Sequence, residues 1–220
     1  MPNSLITPHA ESVVSRLFAA AEEQESGALR LPPVPVGLNS WHEAPAADRA
    51  EAFQDAYIPI SADAGRLLYA LVRAIRPQTV VEFGTSFGIS TIYLAAAVTD
   101  NGTGRVITTE LSAAKARAAR ENFAATGLGD VITLLEGDAR ETLAGLGISP
   151  GLVLLDGWKD LCLPVLHLLE PRLAPGTLVV ADDTGMDSMQ PYLKYVRAPG
   201  SGYENVAFPV EDGMEISCRT

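Results

Sequence analysis

The sequence predicts a doubly wound α/β domain with a mostly parallel, Rossmann-like sheet, preceded by N-terminal helices and closed by an antiparallel C-terminal hairpin. Three observations predict it. From residue 78 onward, short apolar runs alternate with segments of helical length and pattern. The runs are nearly continuous in apolar character, which is how parallel strands read when helices cover both faces. The last stretch differs: residues 202–210 and 213–219 flank Glu211-Asp212-Gly213, a hairpin signal. Five parallel strands and two hairpin strands make a seven-stranded sheet.

The elements follow in order. Thr7-Pro8 reads as an N-cap followed by proline at the first helical position. Val13, Val14, Leu17 and Phe18 then give that helix one apolar face. The helix covers the cofactor cleft or packs on a second copy of the chain, as in a homodimer. The run LPPVPVG (31–37) cannot continue a helix and favours extended backbone. A second helix is expected over 48–57 and a third over 61–75, with Leu67, Leu68, Leu71, Val72 and Ile75 as its buried stripe. The strands are TVVEF (79–83), RVITTE (105–110), VITLLE (131–136), GLVLLD (151–156) and TLVVAD (177–182), with helices over 89–98, 112–126, 138–146 and 160–169 between them. The organisation is an N-terminal helical segment over 1–57 and a cofactor-binding domain over 58–220.

Composition excludes several classes. Sixteen basic residues against 27 acidic ones, a net charge of −11, disfavour nucleic-acid partners, which need basic surfaces. No apolar run reaches the roughly 18 residues that span a bilayer. The N-terminus lacks a basic cluster and apolar core of a secretory signal, so a cytoplasmic location is expected. Two cysteines, Cys162 and Cys218, cannot form a disulfide framework or a four-cysteine zinc site, and read as buried small hydrophobes. His9, His42 and His167 read as structural. A small-molecule partner is the expectation.

Ligands of such sheets bind at the carboxyl ends of the strands, so the residues after each strand carry the functional reading. After the first comes Glu82-Phe83-Gly84-Thr85-Ser86-Phe87-Gly88. A dinucleotide site wants glycine where Ser86 stands, so the loop suits a cofactor without a diphosphate. Glu110 ends the second strand and can accept both hydroxyls of a ribose. Asp138 follows the third and can accept from an adenine amino group. Each feature alone is commonplace; a loop glycine pair, a ribose acid and a base-reading acid on three successive strands suggest adenosine with another tail, and S-adenosylmethionine fits.

Asp156-Gly157-Trp158-Lys159-Asp160 follows the fourth strand, and Asp182-Asp183-Thr184 the fifth. Converging carboxylates raise one another's pKa values, and a divalent cation with hard oxygen ligands, Mg²⁺, relieves that. The competing reading makes Asp182 a helix cap and Asp183 a solvent-facing residue. Lys159 is one of only three lysines, with Lys115 and Lys194, and opposes the dipole of the helix it begins. A nearby metal and a hydrophobic wall from Trp158 would push its pKa down towards general-base range.

The motif VVEFGTSFGIS resembles the first motif of the class I methyltransferases. The run LLDGWKDLCLPVLHLLEPRLAPGTLVVADD resembles catechol O-methyltransferase and its bacterial relatives, with the likeness covering roughly residues 56 to 198. The resemblance implies Asp156, Asp182 and Asp183 as metal ligands and Lys159 as catalytic base. It puts Glu82, Gly84, Ser86, Ser90, Glu110, Ala139, Arg140, Gly157 and Trp158 on cofactor contacts beside Asp138, and Ile58 and Ile60 over the methionine end. Two positions depart from the family: Asp183 replaces the usual asparagine, and Gly157 a common histidine. One aromatic wall of the catechol pocket falls near Ala56, with Tyr57 beside it. The acid facing the second hydroxyl is Glu204, Glu211 or Glu215, without ranking, and Trp41, Met186, Met189 and Met214 line the acceptor pocket or the core.

The expected function is therefore S-adenosylmethionine-dependent O-methyl transfer to a small catechol-type phenol, divalent-metal dependent. The alternatives are a metal-independent small-molecule methyltransferase, an NAD-dependent dehydrogenase, disfavoured by Ser86 and the hairpin, and a cofactor-binding protein without catalysis.

Overall fold

The computed structural model describes residues 3–27, 32–210 and 212–220. Leu31, at the start of the proline-rich run, and Glu211, one of the three tail acids, lie outside the described residues. The strands are β1 (Thr79–Phe83), β2 (Arg105–Glu110), β3 (Ile132–Glu136), β4 (Leu152–Leu155), β5 (Leu178–Ala181), β6 (Tyr203–Phe208) and β7 (Met214–Arg219). They form one seven-stranded sheet in the order β3-β2-β1-β4-β5-β7-β6. β1 to β5 are parallel, while β7 pairs antiparallel with both β5 and β6. The doubly wound sheet and its terminal hairpin are as the sequence predicts.

Side chains alternate across a strand, so successive apolar residues feed opposite faces. Val80, Leu152, Leu154 and Val180 join one core with helices α3 (Ala62–Ile75) and α4 (Ile89–Asn101). Val81, Val153, Leu155, Val179 and Ala181 join the other, with α7 (Cys162–Leu169) and α8 (Gln190–Val196). Full burial of each such side chain stabilises the fold by about 1.5–3 kcal/mol, which is why both faces must be covered. α8 was not anticipated: its apolar residues Tyr192, Leu193 and Val196 span only two turns, too few for a periodic signal.

Helix α1 (Pro8–Ser26) begins as expected, with the Thr7 side chain accepting from Ala10 N. Its Val13 and Leu17 enter the core shared with α3 and α4. Arg16 donates to Asn122 on α5 (Ala113–Thr126) at 2.7 Å, so the helix packs on its own domain, not across the cleft. Ser4 and Tyr69 both donate to Asp100 at 2.6 Å and fasten this end to α4.

Three helical expectations are corrected in extent. α2 spans Ala46–Ala52 and stops well short of residue 57. Residues 56–60 belong to no helix or strand, consistent with Pro59 disfavouring helix at the residue before it, and Tyr57 N donates to Gln24 on α1 at 2.7 Å. α6 is only Ala139–Thr142. The fourth crossover opens as a 3₁₀ turn, Lys159–Leu161, before α7. In α3, Leu68 and Val72 are buried, but Ile75 is exposed at the helix end. Cys162 is buried as expected; Cys218, on β7, is only half-buried.

Candidate active site

A cleft opens where the chain reverses direction across the sheet, at the carboxyl ends of β1 and β4. Its floor depends on two glycines. Gly84 leaves β1 at φ +102°, and a Cβ there would lie 2.6 Å from Gly157 N. The β1 and β4 loops touch backbone to backbone, and only glycine permits both the angle and the approach.

On the β2 side, Glu110 is held by two backbone donors: Ser86 N at 2.7 Å and Ser112 N at 2.8 Å. Burial raises its pKa against those donors and the Lys115 charge. The carboxylate lines the cleft, and a carboxylate oxygen can accept more than one hydrogen bond, as ribose recognition requires. Ser86 carries φ +50°, turning its N–H towards Glu110. Glu82 lies beneath the floor, fully buried, receives a hydrogen bond from Thr91, and is pushed by burial to a pKa of about 7. Its Oε1 has no hydrogen-bond partner among the described residues, an acceptor without a donor below the cleft.

Of the residues assigned to cofactor contacts, Ile58, Ile60, Gly84, Ser86, Ser90, Glu110, Asp138, Ala139, Gly157 and Trp158 line the cleft. Arg140 does not. Its guanidinium turns back on Asp138, with Nε donating to Oδ1 at 3.0 Å. That pairing holds the Asp138 carboxyl below the usual carboxylate range.

The other end of the cleft gathers the predicted acids. Ligand oxygens of Asp156, Asp182 and Asp183 lie within 4.8 Å of one another. Asp183 adopts φ +55°, a left-handed conformation that asparagine tolerates and aspartate shares. Burial, then the neighbouring Asp156 charge, pushes Asp182 to a pKa of about 8. Burial likewise raises Asp156. Lys159 Nζ donates to Asp156 Oδ1 at 2.8 Å and pairs with Asp183 Oδ2 at 2.9 Å. The expected downward push on the lysine pKa presumes a cation beside these acids; the side chains by themselves act otherwise. Burial pushes it down, but the charges of Asp156 and Asp183 outweigh burial and hold Lys159 well above the ordinary lysine range.

The N-terminal segment supplies the outer wall. His42, Ala50, Phe53 and Tyr57 line the cleft with Met186. Tyr57 stacks on Phe87 with ring centroids 4.1 Å apart, and Phe53 meets Trp158 edge-on at 5.9 Å. Trp41 packs edge-on against Phe53. Met189 and Met214 are core residues. Neither described tail acid reaches the site: Glu204 is exposed on β6, and Glu215 is buried in an ion pair with Arg197.

Sequence reasoning placed neither Ala50 nor Phe53 at the cleft, and two more telling residues, His42 and Lys115, also escaped it. His42 lies in a segment with no periodic signal. Lys115 is buried, with Nζ 3.3 Å from Ser86 Oγ, and its scarcity among the lysines was the one available clue. Burial lowers its pKa, while Glu110 and Asp55 pull it back up.

Together the sheet order, the strand-end acids and the terminal hairpin define the class I methyltransferase architecture. A family profile described as "Methyltransferase domain" matches residues 81–184. Catechol O-methyltransferase B of Danio rerio is 34% identical over 167 residues, covering 70% of this chain and 62% of the relative. Catechol O-methyltransferase of Mycobacterium tuberculosis is 33% identical over 127 residues, 57% of either chain. This chain thus spans about three fifths of the length of the curated relatives it matches. The crystal structure of an O-methyltransferase from Streptomyces achromogenes involved in tomaymycin synthesis, solved in complex with SAM, superposes with a TM-score of 0.67 at 21% identity, covering 93% of this chain and 98% of that one. The chain is thus similar in sequence to catechol O-methyltransferases and shares the fold of the class I methyltransferases.

Proposed function

We propose that this chain transfers a methyl group from S-adenosylmethionine to a hydroxyl of a small catechol-type phenol, with a divalent cation at Asp156, Asp182 and Asp183 and Lys159 as base. One observation carries the reading: Lys159 and the three carboxylates converge across the same cleft from Glu110, a carboxylate suited to accept from a ribose. The donor set suits a hard cation, because three carboxylates share a site where burial penalises the charge of Asp156 and Asp182.

S-adenosylmethionine supplies the methyl group, and a cation such as Mg²⁺ supplies positive charge that acidifies vicinal hydroxyls. The chain does the rest. Glu110 accepts from the ribose hydroxyls, and Asp138 stands where an adenine amino group would be read. Phe53, Tyr57, Trp158 and Met186 wall off water and favour a flat aromatic acceptor. Burial by itself lowers the Lys159 pKa, so neutralising Asp156 and Asp183 frees Lys159 to take the proton from the acceptor hydroxyl. The remaining contribution is orientation of the acceptor oxygen against the methyl carbon.

Two measurements test this. S-adenosylhomocysteine should raise the melting temperature by binding the native state, and NAD should not. Methyl transfer over a phenol panel should favour vicinal diols and stop on adding EDTA. Stabilisation by NAD alone would overturn the methyltransferase reading; activity that survives EDTA would move the reading to a metal-independent methyltransferase.

A further inference from the structure

Arg49 is 3% exposed, sits on α2 and is far from Lys159 in sequence. It nevertheless touches both neighbours of Lys159. Its Nη1 and Nη2 donate to the two carboxylate oxygens of Asp160 at 2.6 and 2.9 Å. Its guanidinium carbon lies 4.8 Å from the centre of the Trp158 ring. Its Nε has no hydrogen-bond partner among the described residues, so its hydrogen bonds go to Asp160 alone.

We infer that Arg49 is a positioning residue for Lys159: it clamps Trp158 and Asp160 on either side and ties the cleft's outer wall to the β4 loop. The inference rests on the reading of Lys159 as base. The segment needs such a clamp. Lys159 opens a 3₁₀ turn, Lys159–Leu161, whose backbone closure is the bond from Leu161 N to Trp158 O at 2.8 Å. Such turns have poorer hydrogen-bond geometry than an α-helix. A buried ion pair adds little net stability, because desolvation offsets attraction. Its effect is directional. The planar fork matches a carboxylate in two bonds while its charge lies over an indole ring, fixing the residues before and after Lys159 at once. Phe53, on the turn following α2, meets the same Trp158, so the outer wall and the base are held by one cluster.

Three variants test the clamp: Arg49→Gln, Arg49→Lys and Asp160→Asn. With saturating S-adenosylmethionine and catechol, Arg49→Gln should lower kcat by about tenfold or more while S-adenosylhomocysteine affinity stays within about threefold, since misplacing a catalytic group by about 1 Å costs up to 100-fold. Arg49→Lys keeps the buried charge but neither the fork nor the flat face, so it should rescue kcat only in part, and it serves if Arg49→Gln does not fold. A second readout needs no turnover. The chain has two tryptophans, so in a Trp41→Phe background Trp158 is the sole fluorophore. Arg49→Gln should then make Trp158 more accessible to acrylamide. A folded Arg49→Gln with kcat within about twofold of wild type, or with unchanged quenching, overturns the inference. If the unaltered chain methylates no acceptor, the functional reading fails on its own, and quenching of Trp158 decides whether the clamp exists.

Discussion

The Lys159 ammonium lies 2.9 Å from a carboxylate oxygen of Asp183, joining the loop after β4 to the loop after β5. On the proposed reading this one side chain has two duties, as base and as counter-charge to the neighbouring acids.

Both duties predict the outcome of Lys159→Met. As base it should contribute about 10²–10⁴-fold to kcat, with the loss shrinking at high pH, where acceptors ionise unaided. As counter-charge its removal should also cost stability, by about 3 kcal/mol without divalent cations, since breaking a buried pair leaves uncompensated charge. Steady-state kinetics against pH and urea unfolding with EDTA would check each. Near wild-type turnover at neutral pH would remove the base assignment.

Asp182→Ala should remove the most deeply buried of the three acids. Mg²⁺ should stabilise the unaltered chain against heat by mass action and fail to stabilise this variant, while S-adenosylhomocysteine stabilises both. Calorimetric titration with Mg²⁺ reads the same loss directly. Undiminished Mg²⁺ binding by the variant would place the cation elsewhere.

Gly84→Ala should disrupt the cleft rather than the chemistry. The residue sits at φ +102°, and its Cβ would meet Gly157 N at 2.6 Å. Backbone strain and overpacking each cost roughly 1–3 kcal/mol, so a loss of about 3 kcal/mol is expected. S-adenosylhomocysteine binding should weaken with it, and thermal unfolding with and without that ligand would show both effects.

Glu82 predicts a pH dependence of stability. Burial raises its folded pKa to about 7 from an ordinary 4.5. Between these values the native chain holds a proton that the unfolded chain has lost, so stability falls as pH rises through the window. Glu82→Gln, which is neutral throughout, should flatten that fall. Chemical denaturation at pH 5, 6, 7 and 8 would check it, and an unchanged slope would count against the assignment.

The sequence by itself determined the sheet. Runs such as TVVEF and RVITTE became β1 and β2 residue for residue, because a doubly covered parallel strand has no other pattern to follow. It also determined which acids meet. Asp156, Asp182 and Asp183 follow neighbouring parallel strands, and in such a sheet those ends share one edge, with Glu110 across the same cleft. Tertiary structure alone decided the rest. The reach of Arg49 to Asp160, and of Phe53 to Trp158, depends on how the segment before α3 folds over the cleft, a path with no periodic signal. The turn of Arg140 onto Asp138 and the burial of Lys115 beside Ser86 depend on side-chain directions, which spacing does not encode. The charge state of Lys159 depended on distances to two carboxylates. Coulomb energy follows separation and local dielectric, and neither is written in the order of residues.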